Sequence, residues 1–193
     1  MRVTFYYDIV CPFAYLASTQ IESVCARHRA ELSWQPILLG GLLKSIGNPE
    51  PMRAAPAAKA LMNLLDAQRW AEHRGVPLAF PAGHPRRTVE AMRLCTATAP
   101  DRRAEISKRL YRAYWVDGHD VASVEVLSRI AGEDVTGRIA TATVKEELRA
   151  ATDDAAGKGL FGVPSMLVEG EGGERFLFWG QDRLDFVERA LAR

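Results

Sequence analysis

The sequence has too few cysteines to be built on disulfides, too little net charge to grip nucleic acid as a body, and no apolar stretch long enough to cross a bilayer. Three cysteines, Cys11, Cys25 and Cys95, stand in 193 residues. So sparse and odd a set excludes a disulfide scaffold and suits a reducing cytosol. Lys and Arg number 25 against 24 Asp and Glu, a net charge of +1, so the basic footprint of a nucleic-acid binder is missing. No apolar run approaches the roughly 18–20 residues a spanning helix needs. The N-terminus, Met1-Arg2-Val3-Thr4-Phe5-Tyr6-Tyr7-Asp8, has one Arg and then alternates, unlike a secretion signal. His28, His73, His84 and His119 show no metal spacing, and no Walker A loop, G-x-G-x-x-G or Ser nucleophile elbow occurs. The expectation is a cytoplasmic protein with no metal, nucleic-acid or membrane partner.

What is present reads as an ordinary globular chain, 48% hydrophobic and 25% charged. Val3–Asp8 alternates β-forming residues and predicts a strand. Pro12 suits the first position of a helix, and apolar residues then fall at 13, 16, 17, 21, 24 and 25, and at 28 with His28 counted as amphipathic, a helical period. Leu32–Leu39, interrupted by Pro36, predicts a second strand. From about Ala54 to Ala156 the pattern is helical: Ala57–His73, Arg86–Thr98, Asp101–Trp115, Val124–Ala131 capped by Ser123, and Val135–Thr152, with another start signal at Thr152-Asp153-Asp154. Ser165–Glu169 and Arg175–Trp179 flank the turn Gly170–Gly173 and predict a hairpin. Asp182–Leu191 closes as a helix. The expected class is α/β: a β-α-β unit and a β-β-α unit, residues 1–50 and 157–193, with an all-helical insertion over 51–156.

Three places carry chemistry. Cys11 lies at the strand-to-helix junction, where free amides and the helix dipole favour a thiolate, so its pKa is expected to fall below about 8.5. Ala14 stands where a C-x-x-C pair would need its second cysteine, so no disulfide forms within this helix start. Cys25 and Cys95 read as inert core residues. Val163-Pro164 precedes a strand; a proline there holds the preceding backbone open for an extended peptide. Gln181-Asp182, after Gly180, opens the last helix, whose start can take a carboxylate. The basic stretch Arg86, Arg87, Arg93, Arg102, Arg103, Lys108, Arg109 and Arg112 reads mostly as solvated helix surface.

The segments Tyr7–Leu16, Leu39–Asn48, Leu110–Trp115, Gly162–Ser165 and Trp179–Leu184 together resemble the 2-hydroxychromene-2-carboxylate isomerase family, close to the kappa-class glutathione transferases, in the DsbA-like branch of the thioredoxin fold. The resemblance spans essentially the whole chain. It implies a thioredoxin-like fold with a helical insertion, a bound glutathione, and a small aromatic carboxylate substrate. It places the glutathione thiol against Cys11, beside Pro12 and Phe13, and the cysteinyl backbone on Val163 before a cis Pro164. The γ-glutamyl end would lie on Gln181 and Asp182, with a further contact at Asn48. Such relatives are often homodimers. They usually carry Ser where this chain has Cys11; Cys is a weaker hydrogen-bond donor but can form a mixed disulfide. The resemblance therefore implies a glutathione-dependent isomerase of an aromatic 2-oxo acid. A monothiol oxidoreductase or glutathione transferase with Cys11 as nucleophile is the alternative, and a redox-inactive binding module a second.

Overall fold

The computed structural model describes residues 1–48 and 56–193; the expected boundary between residues 50 and 51 lies outside them. Strand β1 (Arg2–Tyr7) pairs in parallel with β2 (Glu31–Pro36) and antiparallel with β3 (Ser165–Glu169), and β3 pairs antiparallel with β4 (Arg175–Trp179). The sheet order is β2-β1-β3-β4. This is the α/β sheet expected from the pattern, in the thioredoxin-like arrangement that the resemblance implies, with β1 inside it.

The helix predicted from Phe13 onward is two helices, α1 (Pro12–Ser18) and α2 (Ile21–Arg27). The break has a local cause. Ser18 and Thr19 donate their hydroxyls to the carbonyls of Tyr15 and Leu16 at 2.6 and 2.8 Å, and the Gln20 amide reaches the Ala17 carbonyl in a tighter turn. The second strand stops at Pro36 instead of Leu39. Leu39 instead opens α3 (Leu39–Ser45), which its two glycines conceal in the sequence. A Cβ on Gly41 would meet the Thr152 methyl at 3.2 Å. The glycine permits that close approach, and the packing offsets its conformational cost.

The helices of the middle follow as α4 (Ala57–Arg74), α5 (Val89–Ala97), α6 (Pro100–Trp115), α7 (Val124–Ala131), α8 (Thr136–Ala140) and α9 (Ala142–Gly157). Ser123 caps α7 as expected, accepting from the Val126 amide at 3.3 Å. The helix predicted over 135–152 is divided by Thr141, whose hydroxyl accepts from the Val144 amide and caps α9. Thr152-Asp153-Asp154 starts nothing, because it lies inside α9. There Thr152 donates to Leu148, Asp153 pairs with Arg149, and Asp154 pairs with Lys158. α5 begins at Val89, three residues later than predicted, after the Pro85 segment. The last helix also begins late: Gln181–Arg183 is a 3-10 turn and α10 is Leu184–Leu191. Gly180, at φ 110°, reverses the chain before that turn.

The middle helices share the core of the sheet. The Tyr7 hydroxyl meets Ser107 Oγ of α6 at 2.6 Å, Tyr7 packs edge-on against Trp34, and the Trp115 indole N–H donates to the Ile9 carbonyl at 2.8 Å. Trp115 is fully buried. Trp115→Phe keeps most of the volume but leaves the Ile9 carbonyl unpaired. A loss of about 1–3 kcal/mol is expected, read as a lower urea midpoint at unchanged m-value.

Candidate functional site

The site is built on the turn that links β1 to α1. The Asp8 carbonyl accepts the Cys11 amide at 3.1 Å, and its buried carboxylate accepts from Val10 N–H (3.1 Å), Leu39 N–H (2.9 Å) and the Thr88 hydroxyl (2.8 Å). The turn delivers Cys11 to the N-cap of α1, with an extended backbone at φ −93° and ψ 117°, and Pro12 to the first helical position. The partly buried Phe13 follows. No side chain caps this helix, so the amides of Phe13 and Ala14 face the Cys11 sulfur. The sulfur donates to the Val163 carbonyl at 3.2 Å.

The thiol departs from expectation. The Cys11 pKa does not fall; burial pushes it up to about 12. The amides of Phe13 and Ala14 pull it down and the charge of Asp8 pushes it further up, but loss of solvent is the largest of these effects. Only 7% of the residue is exposed. A helix start stabilises a thiolate only when the sulfur keeps solvent or gains a partner for its charge. Cys25 and Cys95 are buried and stand at about 11 for the same main reason.

The other side of the site comes from the end of the chain. The Val163-Pro164 bond is cis. The Ser165 hydroxyl donates to the Gly162 carbonyl at 2.8 Å, and the Gly180 amide donates to the Pro164 carbonyl at 2.9 Å. That second bond sets the 3-10 turn of Gln181 and Asp182 beside the Val163-Pro164 loop. Gly162 gives room to Trp179, whose indole nitrogen would lie 2.6 Å from a Cβ there; Phe161 packs on the same ring. Asp182 is exposed and pairs with Arg183. Gln181 is 2% exposed, and its Oε1 has no hydrogen-bond partner.

Cys11, Pro12, Phe13, Val163 and Pro164 thus meet at one place, with Gln181 and Asp182 joined to it through Gly180. Asn48 is exposed in the turn after α3, its amide donating to the Leu43 carbonyl at 2.8 Å. Among the described residues no hydrogen bond ties it to Cys11 or Val163. Two structural partners were not read from the sequence. Arg74, at the end of α4, donates to the carbonyls of Leu16 and Gln181, both at 3.1 Å, with its guanidinium over Trp70. Only a long-range contact map could have revealed it. Asp8 stands three residues before the candidate thiol, and a carboxylate directly between a strand and a helix start was the available signal. The basic stretch is partly surface, with Arg87 on Glu90 and Lys108 on Glu22, but Arg103 spends its guanidinium on the carbonyls of Trp34, Cys95 and Thr98.

A helix start that faces an extended backbone across a four-stranded sheet of this order is the arrangement of a thioredoxin fold. The chain belongs to the family described as the DSBA-like thioredoxin domain, which matches residues 2–192. Over 195 residues it is 28% identical to 2-hydroxychromene-2-carboxylate isomerase of Sphingobium xenophagum, covering 98% of this chain and 97% of that protein. It is 26% identical to glutathione S-transferase kappa 1 of Rattus norvegicus, over 96% of this chain and 88% of the relative. A solved 2-hydroxychromene-2-carboxylate isomerase superposes with a TM-score of 0.82 at 26% identity, over 100% of this chain and 95% of that one. Among the described residues no group of His, Cys, Asp and Glu could hold a metal ion, and no helix is long and apolar enough to cross a membrane.

The raised Cys11 pKa sets a stability profile. The folded thiol keeps its proton above the pH where the unfolded thiol releases it. The stability it contributes is complete below about pH 8.5 and is lost as pH climbs toward 12. Cys11→Ser removes this loss. Between pH 9 and 10.5 the native chain should lose about 2 kcal/mol more than the variant, one proton's worth over that span. Parallel decline of the two urea midpoints would show a thiol that is not desolvated.

Proposed function

We propose that the protein is a cytoplasmic glutathione-dependent isomerase of an aromatic 2-oxo acid, of the 2-hydroxychromene-2-carboxylate isomerase kind. The observation that carries this reading is the fit of an extended thiol peptide to unspent groups. The buried Oε1 of Gln181 lacks a partner, the amides of Phe13 and Ala14 converge on one sulfur position, and the Val163 carbonyl is engaged only by a weak S–H donor. Val163 takes the cysteinyl backbone. Gln181 and Asp182 take the γ-glutamyl ammonium and carboxylate, Asn48 a further backbone group, and Pro12 and Phe13 flank the sulfur.

Bound glutathione supplies a thiolate that adds reversibly to the conjugated acid, so that a double bond becomes single, rotates and is restored. The protein's own share is to bind, to orient and to stabilise charge. The amides of Phe13 and Ala14 hold the negative sulfur. Cys11, displaced from Val163, turns its S–H toward the same charge and donates to it, as the Ser of the relatives would. The helical insertion supplies the wall that shapes the aromatic subsite.

Cys11 as its own nucleophile, in a thiol exchanger or transferase, is the second reading. Its support is the position of the sulfur, already seated on the Val163 carbonyl. The pKa of about 12 weighs against it, because at neutral pH only roughly one thiol in 100,000 would be ionised.

One spectroscopic experiment decides. Purified protein should convert 2-hydroxychromene-2-carboxylate only when glutathione is present, and Cys11→Ser should keep at least about a tenth of the rate, since a hydroxyl does the same task. No spectral change at any glutathione concentration sinks the isomerase. Abolished activity in Cys11→Ser, with a glutathione adduct on Cys11 after treatment with the disulfide form, establishes thiol exchange instead. Absence of glutathione binding by calorimetry leaves only a binding module.

A further inference from the structure

Asp8 carries the inference. Asp8 is 3% exposed, and its carboxylate accepts hydrogen bonds from three separate parts of the fold. Val10 belongs to the Cys11 turn. Leu39 opens α3, the helix that ends at the Asn48 turn. Thr88 precedes α5, and its hydroxyl is spent on Asp8 instead of capping that helix. Among the described residues no Lys, Arg or His pairs with the carboxylate. Burial pushes the Asp8 carboxyl above its ordinary value, and the amides of Leu39, Val10 and Ile9 with the Thr88 hydroxyl pull it back; with no buried cation beside it, its charge would be solvated by dipoles alone, an expensive feature for a core to keep without use.

We propose that Asp8 is the positioning residue of the thiol site: its ionised carboxylate locks the Cys11 turn to the starts of α3 and α5 and adds its charge to the burial that holds Cys11 as a donor. The titratable groups around it all feel this charge. They are Cys11 in the turn, Cys95 of α5, and Tyr111 and Tyr114 of α6, and each is pushed upward in part by Asp8. None of them is a cation. The use of such a donor rests on the glutathione reading, since a site that holds another molecule's thiolate is served by a Cys11 that does not ionise first. The locking itself stands on the geometry.

The substitution Asp8→Asn is selective. The amide oxygen can still accept from Val10 and Thr88, which share Oδ1, but its NH2 faces the Leu39 N–H, donor against donor. The test uses the full chain without glutathione. Iodoacetamide is attacked by the Cys11 thiolate with release of iodide, and mass spectrometry of the Cys11 peptide gives the rate against pH. Removing the charge should lower the Cys11 pKa by about one unit. The thiolate fraction rises about tenfold while its nucleophilicity falls about threefold, so the rate at pH 9 should rise about threefold. In the native chain, the carbon-13 carboxyl resonance of Asp8 should show an ionised group at pH 7. Thr88→Val should move its titration upward and Thr88→Ser should not.

An unchanged Cys11 rate in folded Asp8→Asn overturns the proposal. So does a protonated Asp8 at pH 7. If Asp8→Asn does not fold, the native resonance and the Thr88 pair decide, and an Asp8 titration indifferent to Thr88→Val counts against it. Failure to bind glutathione in a separate calorimetric run would remove the isomerase reading and leave these results standing.

Discussion

The pairing of β1 with β3 is the constraint on which the site depends. It joins the first seven residues to a strand that starts near position 165, with Tyr6 opposite Ser165. Because the strands run antiparallel, the chain that leaves β1 emerges where the chain that enters β3 arrives. Cys11 is therefore brought to Val163 across 152 positions of sequence, at 3.2 Å. Closing so long a loop costs entropy only slowly with its length. The intervening helices meet part of that cost by packing onto the same junction, through Tyr7 to Ser107, Ile9 to Trp115 and Asp8 to Thr88. The insertion is thus bonded to the turn that carries the thiol, and a change in its core is felt at the site.

Two effects oppose each other at Cys11, and their sizes set the direction of its pKa shift. Amides at a helix start typically favour a negative group by about 0.3–1 kcal/mol at an exposed position, more when partly buried. Full burial of an unpaired thiolate costs several times that, which is why the thiol stands near 12 and not below its ordinary value. The balance reverses only if a bound group fills the space and supplies or receives hydrogen bonds. The unpartnered Gln181 oxygen and the single S–H contact of the Val163 carbonyl are where such bonds are missing.

Much of the fold is legible in the sequence because it is written in local periodicity. β1 alternates where it lies, β3 and β4 are marked by the glycine-rich turn between them, and α6 and α7 show their apolar faces and, in α7, a Ser cap. The misreadings are places where a distant partner, or a local side-chain hydrogen bond, overrules the periodicity. α3 contains Gly40 and Gly41, poor helix residues, and forms because Asp8 holds its first amide and α9 needs the space at Gly41. The breaks at Thr19 and Thr141 turn on hydroxyls that bond nearby backbone, Thr19 donating to the Leu16 carbonyl and Thr141 accepting from the Val144 amide, and the periodicity does not mark them. The sign of the Cys11 shift belongs with these. The helix start was visible in the sequence; the lid of packed residues over the sulfur was not. Cys11 and Val163-Pro164 were legible as separate signals, but Arg74, which ties α1 to the Gln181 turn from inside the helical middle, left no trace in spacing.

The residue at position 11 then has a physical meaning beyond its reactivity. A serine hydroxyl donates strongly and does not ionise; a free cysteine donates weakly and ionises near neutrality. A cysteine whose pKa has been driven up by burial and by a neighbouring carboxylate sits between the two, as a thiol that behaves like a poor hydroxyl. Its sulfur is larger and more polarisable than oxygen, so it fills the pocket between Val163 and the amides of α1 without a buried acceptor left behind. In this setting Cys in place of Ser is a change of donor strength before it is a change of mechanism. It becomes a change of mechanism only if solvent or a cation reaches the sulfur, and the packing of Asp8, Trp115 and Val163 around the turn keeps both away.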